Sequence, residues 1–234
     1  MGQLNGPRVS NFPGLNQFKG AIFHTARWDK NVERRGKRVA VIGSGATALQ
    51  LIPHLVEEVK HIAVFQQSPN WIVPKDNRVY TKREKYRFRH NRLAERFNRY
   101  KIYWNWEKTW TDFILNSRRS RKRQVELTQA ITDQVDDPEL ATKLTPDYPV
   151  GCRRVLISDD YYTAIQSDDV ELIVDPIASF YSDGIHTKSG RAVAIDVVII
   201  ATGFKAHDFM HAITLTGVGA ADLKTAWKDG AEAY

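Results

Sequence analysis

The strongest constraint on the fold is a strand, a glycine-rich turn, a helix and a second strand that follow one another within about 30 residues. The short apolar run 38–42 is rich in β-branched residues, which predicts a buried parallel strand. A glycine-rich turn follows at once, and periodic apolar residues predict a helix from Ala46 to Lys60, kinked at Pro53. Residues 62–66 predict the next strand. This order is typical of a βαβ unit, so we expect an α/β fold.

The turn itself matches the G-x-G-x-x-G/A pattern of dinucleotide-binding domains, in the strand and helix context that the pattern requires. The first glycine permits the tight turn, the second lets a pyrophosphate approach the backbone, and the last small residue lets helix and strand pack closely. The helix amino terminus supplies N–H donors for the anion. The alternative is a purely structural glycine turn. We favour a Rossmann-like domain with these cofactor-binding residues: Gly43, Ser44, Gly45, Ala46, Thr47, Ala48 and Gln50.

The end of the second predicted strand favours NADP over NAD. NAD-selective sites place an acidic residue about 20 residues beyond the glycines, where it holds the ribose 2′-hydroxyl. Here Gln66, Gln67 and Ser68 occupy that position, and no acidic residue occurs between His61 and Lys75. A 2′-phosphate would therefore meet no repulsion, although its positive partner must come from elsewhere. We assign Gln67 and Ser68 to the cofactor site.

Further elements follow along the chain. Residues 81–134 predict helices, and Asp137-Pro138-Glu139 predicts the start of a short helix that ends near Lys143. Three apolar runs predict strands, at 170–174, 177–181 and 196–200. Residues 182–184 predict a hairpin turn that leads into a strand at 185–187. The parallel sheet is therefore expected to carry a helical insertion.

The positive net charge of +7 is concentrated in that insertion. Residues 78–123 contain 16 Lys or Arg and 4 Asp or Glu, interleaved with aromatic residues, whereas the remainder has 18 basic and 23 acidic residues. Such a segment could bind nucleic acid or lie on a membrane surface. We favour helices with a core-facing aromatic stripe and a solvated basic face, and predict no nucleic-acid partner.

The remaining composition sets two limits. No run of 18 apolar residues is present, which argues against a membrane-spanning helix. The single cysteine, Cys152, excludes an internal disulfide and fits a reducing compartment, so we expect a cytoplasmic location. No metal-ligand spacing is evident, and we expect no metal.

A stretch before the glycine turn resembles the fingerprint F-x-G-x-x-x-H-x-x-x-W-[P/D] of class B flavoprotein monooxygenases of the Baeyer–Villiger type. The matching positions are Phe18, Gly20, His24, Trp28 and Asp29. Without the resemblance, His24 and Trp28 would be read as packing residues of a loop. Eight further stretches resemble the same family: 2–5, 12–15, 148–154, 160–162, 170–172, 197–203, 217–219 and 226–230.

The resemblance implies FAD and NADP as cofactors and a ketone and oxygen as substrates, giving an ester or lactone. It implies that Arg153 reaches the NADP 2′-phosphate and that catalytic Arg154 stabilises the flavin peroxide, for which a permanently charged guanidinium is suited. The alternative is that both arginines are surface charges. The family commonly carries arginine where this chain has Gln67, which places more weight on Arg153.

The resemblance also implies a division of the chain. We expect a linker from the FAD domain at 1–35, the NADP-binding domain at 36–75 and 148–203, a helical insertion at 76–147, and a return to the FAD domain at 204–234. No glycine-rich FAD-binding unit precedes this region, so we expect a fragment that lacks its flavin domain. Two alternatives stay open: a related N- or S-oxygenating monooxygenase, which Trp28-Asp29 argues against, and a catalytically silent NADP-binding module.

Overall fold

The centre of the protein is a five-stranded sheet in which every strand is parallel to its neighbours. A computed structural model describes residues 4–75, 77–115, 117–206, 213–228 and 230. Gly2, Gln3 and Asp229, which belong to the stretches with family resemblance, lie outside them. The spatial order of the strands is β1, β10, β2, β3 and β6. Their bounds are Ala21–His24, Val197–Ile200, Arg38–Ile42, His61–Phe65 and Val170–Ile173, respectively. The predicted Rossmann-like α/β fold is confirmed.

The βαβ unit forms as predicted, with a shorter helix. Helix α1 spans Ala46–Leu55 and contains Pro53. It ends five residues before the predicted Lys60, where the amides of Glu58 and Val59 both bond to the Leu55 carbonyl in a turn. The apolar period continues past this helix end, because Val59 is still buried in the core. Periodicity therefore reported burial correctly and helix length incorrectly.

The edge strand β1 has no counterpart among the predicted strands, because residues 1–35 were expected to form a linker. Ala21–His24 pairs in parallel with β10, Ala21 opposite Val197 and His24 opposite Ile200. A strand of four residues carries little periodic signal, and its partner lies about 175 residues away along the chain. The fingerprint stretch is consequently part of the sheet.

The described residues also form two smaller sheets. Strands β7 (Ile177–Tyr181), β8 (Gly184–Thr187) and β9 (Ala192–Ala194) form an antiparallel meander, which confirms the predicted hairpin. The meander packs on the central sheet through a cluster that includes Phe18, Phe180 and Ile185. Strands β4 (Ile72–Val73) and β5 (Leu156–Ile157) pair in parallel and bring the two ends of the helical insertion together.

The predicted helical insertion contains α2 (Lys82–His90), α3 (Arg92–Glu107), α4 (Arg118–Gln134) and α5 (Pro138–Leu144). Asp137 caps α5 as expected, since its side chain accepts a hydrogen bond from the Glu139 amide at 2.9 Å. Two further short helices are α6 (Tyr161–Ile165) and α7 (Leu223–Ala226). Single 3-10 turns occur at Leu15–Gln17, Thr25–Arg27, Lys108–Phe113 and Val218–Ala220.

The two halves of the insertion differ in burial. Leu127 and Ile131 of α4 join the main core, together with Leu144 of α5. In contrast, α2 and α3 bury none of their residues, and the expectation of a core-facing aromatic stripe is wrong for them. No helix within the described ranges has the length and apolar content needed to cross a membrane.

Candidate functional site

The glycine turn lies where β2 passes into α1, and its two glycines are required for different reasons. Gly43 has φ +112°, and a Cβ there would lie 2.6 Å from the Ala201 carbonyl oxygen, so a side chain would clash with the backbone directly after β10. Gly45 faces open space instead, because no atom lies within 4 Å of a Cβ built on it. Gly45 also offers no side chain to cap α1, so the amides of the first turn remain available to an anion.

The loop after β3 is tied directly to this turn. The Ser44 hydroxyl donates to the Ser68 carbonyl at 2.9 Å, and the Asn70 side-chain amide donates to the Ser44 carbonyl at 2.8 Å. Ser68 is thereby held beside the helix amino terminus. Asn70 was not among the predicted site residues, because no local pattern distinguishes it from a loop residue.

Arg153 reaches this loop from 85 residues away in the sequence. Its guanidinium donates to the Ser68 hydroxyl at 2.6 Å and lies over the Tyr148 ring, 4.6 Å from the ring centre. Tyr148 is anchored in turn: its hydroxyl donates to the Pro69 carbonyl at 2.9 Å, and Trp71 donates to its carbonyl at 3.0 Å. Burial raises the pKa of Tyr148, partly offset by the charge of Arg153. This arrangement places the positively charged guanidinium of Arg153 at the carboxyl end of β3, where the sequence has no acidic residue.

The other predicted cofactor residues lie around the turn in distinct environments. Ala48 is fully buried, which fits close packing between helix and strand. Ala46, Thr47 and Gln50 are exposed on α1, and the Gln50 side chain donates to the Ala46 carbonyl at 3.1 Å. Gln67 is exposed at the same strand end, whereas the neighbouring Gln66 is buried and donates to the Lys143 carbonyl.

A cavity of about 400 Å³ opens at the carboxyl ends of β2, β3 and β6, where α/β sheets commonly bind ligands. Gly43, Gln67 and Thr202 line it, together with Asp175 and Lys188. Hydrogen bonds from Ser189 and Thr187 lower the pKa of Asp175, which keeps it charged. Asp175 and Lys188 are not among the predicted site residues, although Asp175 follows directly after the predicted strand 170–174.

Arg154 lines a second cavity of about 410 Å³, together with Arg153. The walls are supplied by Val73, Trp106, Thr109, Phe113 and residues 151–155. Arg154 is exposed, and its side chain forms no hydrogen bond or ion pair with any residue that the structure describes. A guanidinium beside apolar walls is available to a developing negative charge.

His24 of the fingerprint connects β1 to the end of β10. Its side chain is 5% exposed, Nε2–H donates to the Gly203 carbonyl at 3.0 Å, and Nδ1 accepts from the Ala26 amide at 3.0 Å. Burial lowers the pKa of His24, which favours the neutral ring that this bonding pattern requires. The chain has left the central sheet by Gly203, so the His24 side chain ties the end of β1 to the segment that follows β10.

The remaining fingerprint residues make packing and turn contacts. Phe18 is buried, and its ring meets the Phe180 ring edge-on at 6.0 Å. Gly20 has no room for a side chain, because the backbone carbonyl of Asp196 lies against it. Trp28 meets Phe23 edge-on at 5.0 Å and carries the Arg34 guanidinium 4.9 Å above its ring. Asp29 accepts from the Asn31 amide at 2.9 Å.

The sequence of the chain matches a known protein family. The family model described as flavin-binding monooxygenase-like matches residues 4–213. The chain therefore belongs to the flavin-binding monooxygenase-like family. It is 36% identical over 234 residues to a Baeyer-Villiger monooxygenase of Pseudomonas aeruginosa, which covers all of this chain and 44% of that protein. An FAD-binding monooxygenase of Aspergillus niger, ktnD, is 35% identical over all of this chain and 39% of its own length.

Solved structures give the same relationship. The complex of OTEMO with FAD and NADP matches with a TM-score of 0.81 and 29% identity, over all of this chain and 52% of that one. An oxidized steroid monooxygenase bound to NADP matches with a TM-score of 0.81 and 28% identity, again over 100% and 52%. The chain thus spans about half the length of the relatives that it matches.

Proposed function

We propose that this chain is the NADPH-binding part of a flavin-dependent monooxygenase of the Baeyer–Villiger type. The observation that carries the proposal is the contact of Arg153 with Ser68 beside the glycine turn. This contact places the guanidinium of Arg153 at the carboxyl end of β3, close to the amino terminus of α1, where the 2′-phosphate of NADP would lie. No acidic residue occurs between His61 and Lys75, so the loop directly after β3 carries no charge that would repel that phosphate.

The turn fits the pyrophosphate of the dinucleotide. Open space at Gly45 and the uncapped first turn of α1 provide room and donors for it. Arg153 is held in place by the Tyr148 ring before any ligand arrives, so less conformational freedom is lost on binding. Ser68 would add a hydroxyl to the same phosphate, and Gln67 would contribute an amide in place of the family's usual arginine.

The oxygenation step is assigned to Arg154. When bound, FAD supplies oxygen activation and NADPH supplies the reducing hydride. The guanidinium of Arg154 would stabilise negative charge that develops on the ketone oxygen as the carbonyl is attacked. Trp106 and Phe113 wall the cavity and would exclude water from that charge. The whole protein would convert a ketone, oxygen, NADPH and a proton into an ester or lactone, NADP⁺ and water, in the cytoplasm.

Cofactor preference tests the first half of the proposal. Calorimetric titration should show tighter binding of NADPH than of NADH. Arg153→Ala should weaken NADPH binding by about 1.5–3 kcal/mol, the value of a charge-assisted contact. Arg35→Ala, which removes an exposed arginine that precedes β2, whereas the turn follows β2, serves as the control. Equal affinities for the two dinucleotides in the parent chain would contradict the assignment.

Reconstitution tests the second half. The chain alone, given FAD, NADPH and a panel of cyclic and aryl ketones, should form no ester above the rate of free flavin, because the flavin must be positioned against Arg154 and the chain spans about half the length of its relatives. A flavin domain supplied from a full-length relative should restore turnover. Arg154→Ala should then abolish product, as judged by mass, and leave NADPH affinity nearly unchanged. Loss of NADPH binding instead would show that the two arginines have exchanged roles.

A further inference from the structure

A third and larger cavity, of about 610 Å³, lies between β4 and the inner face of α3. The chain after β4 forms one wall, and α3 forms the other. Its lining includes Lys75, Asn77, Asn98, Lys101, Asn105 and Trp106. The glycine turn does not contribute to it.

The walls of this cavity are positively charged. Arg78 is paired with Glu84 at 2.8 Å, and Arg123 with Glu126 at 3.2 Å, so their charges are balanced. The ammonium groups of Lys75 and Lys101 have no such partner among the residues that the structure describes. No carboxylate occurs among the described lining residues. Within the described part of the chain, the side chains of these two lysines therefore form no ion pair.

The cavity also offers neutral polar groups for an oxygen-rich ligand. Asn77, Asn98 and Asn105 line it, each with amide donors. Asn98 is oriented by a hydrogen bond from its side-chain amide to the Tyr80 hydroxyl at 3.1 Å. A carboxylate or phosphate would find both charge and donors here, whereas a neutral apolar group would have to be placed against unpaired cations.

The position of the cavity links it to the assigned reaction site. Val73 and Trp106 line both this cavity and the one that contains Arg154. The two cavities are therefore neighbours across a shared wall. A ligand whose reactive end lies near Arg154 could extend its other end past Trp106 towards Lys75 and Lys101.

We propose that this cavity binds the anionic end of the substrate, so that the ketone carries a carboxylate or phosphate group remote from its carbonyl. The inference rests on the proposed function, because it takes Arg154 to mark the reacting end. Lys75 and Lys101 supply the charge, and the three asparagines supply additional donors. The site selects the substrate class and does not take part in oxygen transfer.

The experiment compares two ketones that differ only in charge. The chain, saturated with NADPH, is titrated by calorimetry with an oxocyclohexyl-hexanoate and with its methyl ester. The acid should bind about three- to tenfold more tightly, a modest ratio because the lysines are exposed to solvent. The difference should shrink as the salt concentration is raised.

Matched variants assign the preference to the cavity. The double variant Lys75→Gln and Lys101→Gln should bind acid and ester equally and keep the ester affinity of the parent chain. Lys122→Gln removes a lysine of α4 adjacent to Arg123 that does not line the cavity, and it should retain the full preference. Circular dichroism and NADPH affinity report whether each variant is folded.

The outcomes separate the two proposals. If NADPH binds normally but acid and ester bind equally, or neither binds, the anionic site is wrong and the proposed function stands. A preference for the acid that survives in the double variant also refutes the site. If NADPH fails to bind, the proposed function falls, and the assignment of this cavity to a substrate falls with it.

Discussion

Helices α3 and α4 lie next to each other in the chain and have nearly the same length, 16 and 17 residues, but they differ in burial. Helix α4 buries Leu127 and Ile131 in the main core. Helix α3 contains many more aromatic residues and buries none of its side chains. The more apolar helix is the less buried one.

The difference teaches that apolar content does not by itself determine burial. Four apolar residues of α3 recur at helical spacing and lie on one outward stripe: Leu93, Phe97, Tyr100 and Trp104. The opposite face carries Asn98 and Asn105, which line the third cavity. Helix α4 has fewer apolar residues, but they face α5 and α6, which already pack on the sheet. Placement relative to the sheet decides which residues are covered.

The largest effect is expected from one substitution made on both helices. Leu127→Ala should lower the free energy of unfolding by about 2–5 kcal/mol, since it empties a site in the core where the leucine is 4% exposed. Leu93→Ala, at a residue that is 75% exposed, should change it by less than about 0.5 kcal/mol. Urea unfolding measures both. Similar losses at the two positions would mean that α3 is covered in solution.

The second-largest effect is expected on NADPH affinity, which should depend on the glycine turn at the sheet and not on α3. Gly45→Val should reduce NADPH affinity at least about 30-fold, roughly 2 kcal/mol, because its side chain fills the space left for the pyrophosphate. The urea midpoint should stay unchanged, since that space is empty in the folded chain. Leu93→Ala should leave NADPH affinity as it is. Unchanged binding in the Gly45 variant would place the dinucleotide elsewhere.

The third prediction compares two ion pairs in which an arginine lowers the pKa of its carboxylate partner to a similar value. Arg38 lowers the pKa of Asp196 from 3.8 to about 2 across two strands of the sheet, and Arg78 lowers that of Glu84 to about 2 at the start of α2. A carboxylate whose pKa is lower in the folded chain than in the unfolded chain stabilises the fold at any pH above its unfolded pKa. That stabilisation is lost as the pH falls from about 4 to 2. Asp196→Asn should therefore cost about 1 kcal/mol at pH 7, reduced for partial exposure.

The measurement is urea unfolding at pH 7 and again near pH 3, where the deficit of the Asp196 variant should be smaller. Glu84→Gln, the control in the insertion, should destabilise less than Asp196→Asn at neutral pH, because its pair lies on the surface and closes a local capping box. An equal or larger loss for Glu84→Gln would show that α2 contributes more to the global fold than its burial indicates.

The smallest effect tests the exposed stripe directly. Phe97→Gln should leave the free energy of unfolding within about 0.5 kcal/mol of the parent value, because its ring is already in water. Self-association at high concentration should decrease, since an exposed apolar patch favours contact between molecules. Sedimentation velocity measures the second quantity. A clear loss of stability would contradict the exposure of this face.

Local sequence was sufficient for the βαβ unit and its glycine turn. Each of their signals, an apolar run, a turn that needs glycine and a helical period, is complete within a few residues, so the strands 38–42 and 62–66 were placed almost to the residue. The cap of α5 was equally local. The fingerprint and the arginine pair were recognised through resemblance, and their roles stay predictions.

Contacts between segments that are far apart in the sequence could be identified only from the folded structure. Strand β1 exists because β10 offers it a partner, and Arg153 meets Ser68 because the paired strands β4 and β5 close the insertion. The exposure of α3 and the position of Lys101 depend in the same way on how the insertion leaves the sheet. Periodicity states which residues of a helix share a face, but what covers that face is a property of three-dimensional packing.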